Sequence, residues 1–321
     1  MNQKLPPGLR LRLPATSANL GPAFDTAAVA LQLHLEIVAT PAAAFTVAAA
    51  GRDFAACGRL ENNLILETYR AALEQNRRSI VPLRLQVDNR IPLGMGCGSS
   101  AAARLAGLAL AAHFGDLGWS DLDILTQAAL LEGHPDNVSA CWLGGMTVAA
   151  MPDPISLTGA TCNPLRVARF DIPQNWRAAV VIPRDPIRTE ESRRVLPEQY
   201  SRADVVANLQ NCSLLVAAFA AGDGDLLRAA ARDCLHEPYR QAICPLLEPL
   251  LALNRSSHPL AVSLSGAGPG VLLIATGSLC QAELEALVLE SLERSAPPNP
   301  QIEILPCGLE SLGAQRSVHY W

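Results

Sequence analysis

Pro92-Leu93-Gly94-Met95-Gly96-Cys97-Gly98-Ser99-Ser100-Ala101-Ala102 runs without a break into an apolar stretch that ends at Phe114. Three glycines at alternate positions open backbone conformations closed to other residues and let a ligand approach the main chain closely. Residues 101–114 are apolar on nearly every side, which predicts a helix buried over most of its surface. The free N–H groups of its first turn, with the helix dipole behind them, form an anion site suited to a phosphate chain. Ser99 and Ser100 add hydroxyls that reach a phosphate oxygen or a magnesium ion. The spacing fits neither G-x-x-x-x-G-K nor G-x-G-x-x-G, so the common P-loop and dinucleotide-binding readings fail.

Working outward, residues 9–13 alternate apolar and basic and read as a strand stopped by Pro14. A small polar turn follows over 15–25, then a strand-like run over 26–40. Residues 63–75 carry apolar side chains at helical spacing, with Asn62 as cap. Residues 81–87 alternate like a half-buried strand. Past the glycine loop, Ser120 and Asp121 open a helix that runs to Glu132 and is ended by Gly133 and Pro135. Residues 143–149 read as a strand. Breaks over 151–163 mark a domain boundary, dividing the chain into 1–163 and 164–321. The second half offers a strand at 178–182, helices at 204–221 and 225–234, strands at 259–265 and 271–275, and an acidic amphipathic helix at 281–294. The pattern is α+β in two domains.

Composition excludes several functions. The chain has 321 residues, 50% of them hydrophobic and 17% charged, which supports a substantial core and rules out general disorder. A formal net charge of −5 gives no electrostatic reason to seek nucleic acid or anionic membrane. Lys4 is the only lysine, and it lies in a polar N-terminal lead. A Walker-A loop, the strand lysine of protein kinases and a pyridoxal Schiff base are thereby excluded. The nine cysteines are scattered and never form C-x-x-C, so they read as reduced thiols rather than a disulfide framework or a zinc ribbon. No leader of signal-peptide type and no run approaching the ~20 apolar residues of a membrane span is read. A cytoplasmic protein is expected.

Three further segments carry chemistry. Glu132-Gly133-His134-Pro135-Asp136-Asn137 gathers polar groups that make poor core material. Within it Glu132 suits a hard cation and Asn137 suits a polar substrate, whereas His134 alone reads as a structural histidine. Thr16-Ser17-Ala18-Asn19-Leu20-Gly21-Pro22-Ala23-Phe24-Asp25 is polar but almost uncharged between two strands. Ser265-Gly266-Ala267-Gly268-Pro269-Gly270 joins two apolar strands and, taken alone, is a glycine-bearing hairpin.

In this order and at these separations the four segments resemble the GHMP small-molecule kinases, and within them the homoserine kinases. The pattern of that family is an A-T-S-A-N-L-G-x-G-F-D loop, a P-x-G-x-G-L-G-S-S-A-A phosphate loop, an E-G-H-P-D-N-V segment and an S-G-A-G-P turn. This chain reads L-P-A-T-S-A-N-L-G-P-A-F-D, P-L-G-M-G-C-G-S-S-A-A, E-G-H-P-D-N-V and S-G-A-G-P. It departs at Ala23, where the family has glycine, and at Met95 and Cys97, often arginine and leucine there. The resemblance implies a ribosomal S5-like N-terminal domain that binds ATP over residues 1–163. It further implies a ferredoxin-like, substrate-side C-terminal domain over 164–321.

The resemblance also implies where ligands sit. ATP would lie over Pro92 to Ala102 with adenine towards Asn62 and Asn63, and Ser100 and Glu132 would hold Mg2+. Asn19, Asp25, His134 and Asp136 would contact L-homoserine, beside Gly266 and Gly268. Thr189-Glu190-Glu191-Ser192-Arg193 is similar to the family's T-x-x-x-R, and residues 233–240 to its D-x-x-x-E-P-x-R. On that basis Thr189, Arg193 and Arg240 belong to the substrate site, the arginines on the carboxylate, a task matched to the bidentate guanidinium fork. A homodimer is implied as well.

The mechanism expected follows from what is missing. Mevalonate-type relatives carry a lysine in the first loop and an aspartate as base. Here no lysine is present, and Asn137 stands where that aspartate would be. Asparagine takes no proton, so direct in-line attack by a hydroxyl oriented on Asn137 is expected, as loose phosphoryl transfer allows. Two rivals remain open at this point. One is a kinase of the same superfamily acting on a mevalonate-type alcohol; the other is a catalytically silent nucleotide- or amino-acid-binding regulator.

Overall fold

The structure, a computed structural model, describes residues 6–152, 165–187, 189–256, 259–277, 280–295 and 301–319. In chain order its strands are β1 (Gly8–Asn19), β2 (Ala23–Pro41), β3 (Thr46–Gly51), β4 (Leu83–Asn89), β5 (Met146–Ala150) and β6 (Arg166–Phe170). There follow β7 (Trp176–Pro183), β8 (Ala261–Leu264), β9 (Val271–Thr276), β10 (Ile302–Cys307) and β11 (Gln315–His319). The helices of the first half are α1 (Phe54–Cys57), α2 (Leu64–Gln75), α3 (Ser99–Phe114), α4 (Asp121–Glu132) and α5 (Asp136–Leu143). Those of the second are α6 (Thr189–Arg194), α7 (Arg202–Ala221), α8 (Gly224–Ala230), α9 (Glu237–Arg240), α10 (Leu247–Leu251) and α11 (Gln281–Ser295).

Among the described residues there are two sheets. The larger has seven strands, ordered β11-β1-β2-β4-β3, with β5 on β2 and β6 on β5. Only β3 and β4 run parallel. The smaller is antiparallel, ordered β10-β7-β9-β8. The larger sheet takes β6 and β11 from beyond residue 163, so the chain crosses between the two sheets more than once. The boundary expected over 151–163 falls almost wholly outside the described residues.

Burial follows the apolar pattern. In α3 the side chains of Leu105, Leu108, Leu110 and Phe114 are buried against the larger sheet and α2, each contributing about 1.5–3 kcal/mol on removal from water. The smaller sheet packs Val181, Val262 and Leu273 against Leu247 and Leu250 of α10 and Val288 of α11. Helix α7 reaches the core through Leu215 and Phe219, the latter edge-on to Trp176 at 5.0 Å.

Four local readings change. Pro14 does not stop the first strand; it sits at a register irregularity, where its missing N–H costs little, and β1 continues to Asn19. The cap of α2 is Asn63, whose side chain accepts from the Leu66 amide, not Asn62. Residues 136–143, to which the sequence reading assigns no helix, form α5, because Gly133 in the left-handed region ends α4 and frees the chain to start again at Asp136. Helix α8 ends at Ala230, since the carboxylate of Asp233 accepts the amides of Leu235, His236 and Glu237 and builds a turn in place of a helix. The expectation that no segment has the length and apolarity of a membrane span is also corrected. By length and composition alone α7 qualifies, and most of it is not buried. Its Asn208 is docked in the protein, donating to the Pro22 carbonyl at 2.7 Å and accepting from the Cys234 amide at 3.0 Å.

Candidate active site

The end of β1, the N-terminus of α3, the α4–α5 turn, helix α6 and the β8–β9 turn converge on one cavity of about 490 Å³. The first loop enters it through a second irregularity in the β1–β2 ladder. Ala18 pairs with Ala28 but Asn19 with Ala23, so Phe24 and Asp25 are thrown out of the ladder and line the cavity. Asn19, Leu20 and Asp25 all take positive φ there, at 72°, 49° and 52°. Such backbone is uncommon outside glycine and recurs at functional loops.

Gly94, Gly96 and Gly98 take φ of 69°, 75° and 70°. At Gly96 a Cβ would strike the Ser265 carbonyl, and at Gly98 it would strike the Thr16 hydroxyl. The loop is clamped from both sides: Thr16 N–H donates to the Cys97 carbonyl at 3.1 Å, and Ser265 Oγ donates to the Gly96 carbonyl at 2.8 Å. Gly98 precedes α3 with no side chain capping the helix, and Ser99 and Ser100 line the cavity. The first-turn donors therefore face the space a phosphate chain would fill. Cys97 is buried, and burial pushes its thiol up to about 12, so it packs and does not react.

Beside this cradle, Ser100 Oγ donates to Glu132 Oε2 at 3.0 Å while Arg104 Nε donates to Oε1 at 2.6 Å. Gly133 then turns the chain so that His134, Asp136 and Asn137 face the same cavity. Asp136 is buried, and its Oδ1 accepts from His134 Nδ1 at 2.6 Å and from the Asn137 amide N–H at 2.6 Å. Burial pulls the His134 pKa down, but the Asp136 hydrogen bond and the charges of Asp136, Asp25 and Glu132 outweigh it and leave it raised. The Thr16 hydroxyl donates to Asn137 Oδ1 at 2.6 Å, so the side-chain amide of Asn137 is fixed from the first strand.

The opposite wall is cationic. Arg193 donates from both Nη atoms to Asp25, at 2.7 and 2.9 Å, and that pairing raises the pKa of the guanidinium. Arg240 is only 1% exposed, yet it lines the cavity. Burial and then repulsion from Arg193 lower its pKa, and arginine starts high enough to stay charged. The Phe24 ring lies under both, 5.5 Å from Arg193 Cζ and 5.4 Å from Arg240 Cζ.

Of the residues singled out in the sequence, Leu93, Gly94, Gly96, Cys97, Gly98, Ser99 and Ser100 line this cavity. So do Asn19, Asp25, Glu132, His134, Asp136, Asn137, Thr189, Arg193, Arg240, Gly266 and Gly268. Asn62 and Asn63 line an adjoining cavity of about 320 Å³ that shares Leu93, Ser99 and Ser100 with the first. Pro92 and Met95 do not line it but open onto a separate cavity beside Arg52 and Arg184, and Ala101 and Ala102 are buried in α3. Asn19 is turned to the backbone: its Oδ1 accepts from the Asp25 amide at 2.9 Å and its Nδ2 donates to the Gly266 carbonyl at 2.8 Å. Sequence reasoning passed over Phe24, Thr16, Ser192 and His236. Phe24 and Thr16 lie inside the loop 16–25, and His236 lies inside the D-x-x-x-E-P-x-R stretch, of which the resemblance singles out Arg240 alone.

Residues 63–145 match the family described as GHMP kinases N terminal domain, and residues 215–288 match GHMP kinases C terminal. The chain is 42% identical over 263 residues to a homoserine kinase of Solibacter usitatus, covering 82% of this chain and 84% of that one. It is 35% identical over 301 residues to a homoserine kinase of Thermus thermophilus, covering 93% and 96%. In fold it is similar to the crystal structure of a homoserine kinase from Cytophaga hutchinsonii. The TM-score is 0.77 at 21% identity, over 99% of both chains.

Proposed function

The chain belongs to the homoserine kinases of the GHMP kinase family, and from that we propose that it transfers the γ-phosphoryl group of ATP to the side-chain hydroxyl of L-homoserine, giving O-phospho-L-homoserine for threonine biosynthesis. The observation that carries this reading is the meeting, in one cavity, of an uncapped glycine-cradled helix N-terminus with two arginines and the fixed Asn137 amide. A phosphate chain suits the first wall and an amino-acid carboxylate the second.

ATP lies with its phosphates over the loop 92–102 and its adenine in the adjoining cavity at Asn62 and Asn63, which shares Leu93, Ser99 and Ser100 with the first. Ser100 Oγ and Glu132 Oε2, 3.0 Å apart beside the cradle, are hard oxygen donors of the kind Mg2+ takes, and these residues would hold it. When bound, the ion supplies charge neutralisation at the β- and γ-phosphate oxygens. Arg193 and Arg240 receive the substrate carboxylate. Asp25, His134 and Asp136 bring ligand atoms within 4.8 Å of one another, a group whose carboxylates attract the substrate ammonium.

Asn137 orients the hydroxyl towards the γ-phosphorus. It has no basicity to offer, and a loose transition state asks for little, because positioning and charge stabilisation supply most of the rate. Residues 1–163 form the ATP-side domain, whose sheet β6 and β11 complete from the second half, and the rest of 164–321 forms the substrate-side domain, with the cytoplasm as location and a homodimer as assembly, which light scattering of the purified chain tests. The test of function is magnesium-dependent ADP release with L-homoserine, L-threonine, L-serine and mevalonate offered separately. Turnover confined to homoserine, and abolished by EDTA, is expected. Turnover with mevalonate alone overturns the substrate, and nucleotide binding without turnover of any alcohol overturns the activity.

A further inference from the structure

Arg240 is held by a residue that has no place in the reaction as described above. Its Nε donates to the Ser192 carbonyl at 3.2 Å, and its Nη1 approaches the Gly266 carbonyl at 3.4 Å. The same Nη1 lies 3.0 Å from Nδ1 of His236, which is fully buried. On the other side of the ring, His236 Nε2 is 2.8 Å from the Gly21 carbonyl. A carbonyl only accepts and a guanidinium only donates, so both contacts call for one form of the ring: neutral, with the proton on Nε2 and the lone pair on Nδ1. Burial favours that form, pulling the His236 pKa down against the pull of Asp233. The ring plane is fixed as well, because Phe24 stacks on it at 5.2 Å and 26°. Among the described residues Nη2 of Arg240 makes no hydrogen bond, and the residue lines the cavity.

We infer that His236 is a positioning residue for the substrate carboxylate: by accepting from Nη1 while tied to Gly21, it sets the Arg240 guanidinium so that its remaining donors face the cavity. Gly21 stands in the loop that carries Asp25, so the same imidazole keeps Arg240 in register with the group facing the substrate ammonium. The inference rests on the reading of L-homoserine as substrate. Without the Nδ1 acceptor, Nη1 retains only the long contact to Gly266, and the guanidinium, held chiefly by its Nε bond to Ser192, can turn its fork away from the bidentate geometry that gives arginine its advantage.

The test is steady-state kinetics of the full chain at saturating ATP and magnesium with His236→Ala, His236→Gln and His236→Asn, and with Arg240→Leu as reference. Asparagine places Oδ1 where imidazole has Nδ1 and so keeps the acceptor; glutamine keeps a polar group near Gly21 without it. The expected result is a homoserine KM raised roughly tenfold or more in the alanine and glutamine variants, with kcat and the ATP KM little changed. The asparagine variant should recover most of that loss. An asparagine variant as impaired as alanine, a loss carried by kcat or by the ATP KM, or an unchanged homoserine KM throughout overturns the inference. Should the alanine variant fail to fold, the contrast between glutamine and asparagine decides. A wild-type chain that does not turn over homoserine, or an Arg240→Leu variant with an unaltered KM, instead overturns the functional reading beneath it.

Discussion

Asp25 and Arg193 meet across the cavity in a two-pronged pair, at 2.7 and 2.9 Å, although 168 residues separate them in the chain. The pair ties the residue extruded from the β1–β2 ladder to helix α6, and both side chains keep about a third of their surface open. A substrate with an ammonium and a carboxylate can insert its charges into this pair, each meeting its opposite. Arg193→Leu should therefore raise the homoserine KM by about tenfold or more with a smaller change in kcat. Arg193→Lys should recover only part, since lysine lacks the fork. Initial rates over a homoserine series at fixed ATP measure both; an unchanged KM in the leucine variant would remove Arg193 from the substrate site.

Asn137 is held by its neighbours in one orientation, with Thr16 donating to Oδ1 at 2.6 Å and Nδ2 lying 3.3 Å from Asp136 Oδ1. Its contribution belongs to the transition state. Asn137→Ala should lower kcat by about a hundredfold and leave both KM values within a few-fold. Asn137→Asp supplies a base, yet it places a second carboxylate oxygen against Asp136 and the γ-phosphate, so it should not recover the rate. A fully active aspartate variant would show that a base, rather than orientation, limits the reaction.

Gly96 lies in the left-handed region under the Ser265 carbonyl, which is itself part of the turn that carries Gly266 and Gly268. Gly96→Ala must push the phosphate loop and the β8–β9 turn apart, and displacement of about 1 Å in such a site can cost about a hundredfold in rate. We expect at least that loss in kcat/KM, with a raised ATP KM. Gly118→Ala, also at positive φ but with open space around its Cβ, is the control for strain alone and should leave the kinetics unchanged.

These relationships were unequally legible in the sequence. The phosphate cradle was readable because its reasons are local: alternate glycines, two serines and a helix apolar all round. Helix α4 was readable at both ends for the same reason, since Ser120 with Asp123 forms a capping box and Gly133 closes the helix. Helix α5 was not, because Pro135 reads as a terminator when it in fact precedes a new first turn. The ion pair of Asp25 with Arg193, the bond from Thr16 to Asn137 and the contact of His236 with Gly21 all join distant segments. No periodicity announces such contacts; resemblance to a family gathered the segments, and only the fold showed which side chains hold one another.

Glu237 gives the site a dependence on pH that can be read from stability. It is buried next to the Arg240 turn, and burial, then the charge of Asp233, pushes its carboxyl up to about 8 from an ordinary 4.5. The fold thus binds this proton more tightly than the unfolded chain does. The stability so conferred is complete below the ordinary value and is lost as pH climbs through about 8. Glu237→Gln replaces the acid with a neutral group of the same shape, whose carbonyl oxygen can still accept from the Leu264 amide now 2.7 Å from Glu237 Oε1. Urea midpoints of the two proteins should accordingly lie closest at about pH 5 and separate in favour of the variant towards about pH 8 to 9. Parallel curves over that range would mean that Glu237 titrates alike in both states, and the buried acid would then have to be stabilised as a carboxylate by Arg240 and the Leu264 amide.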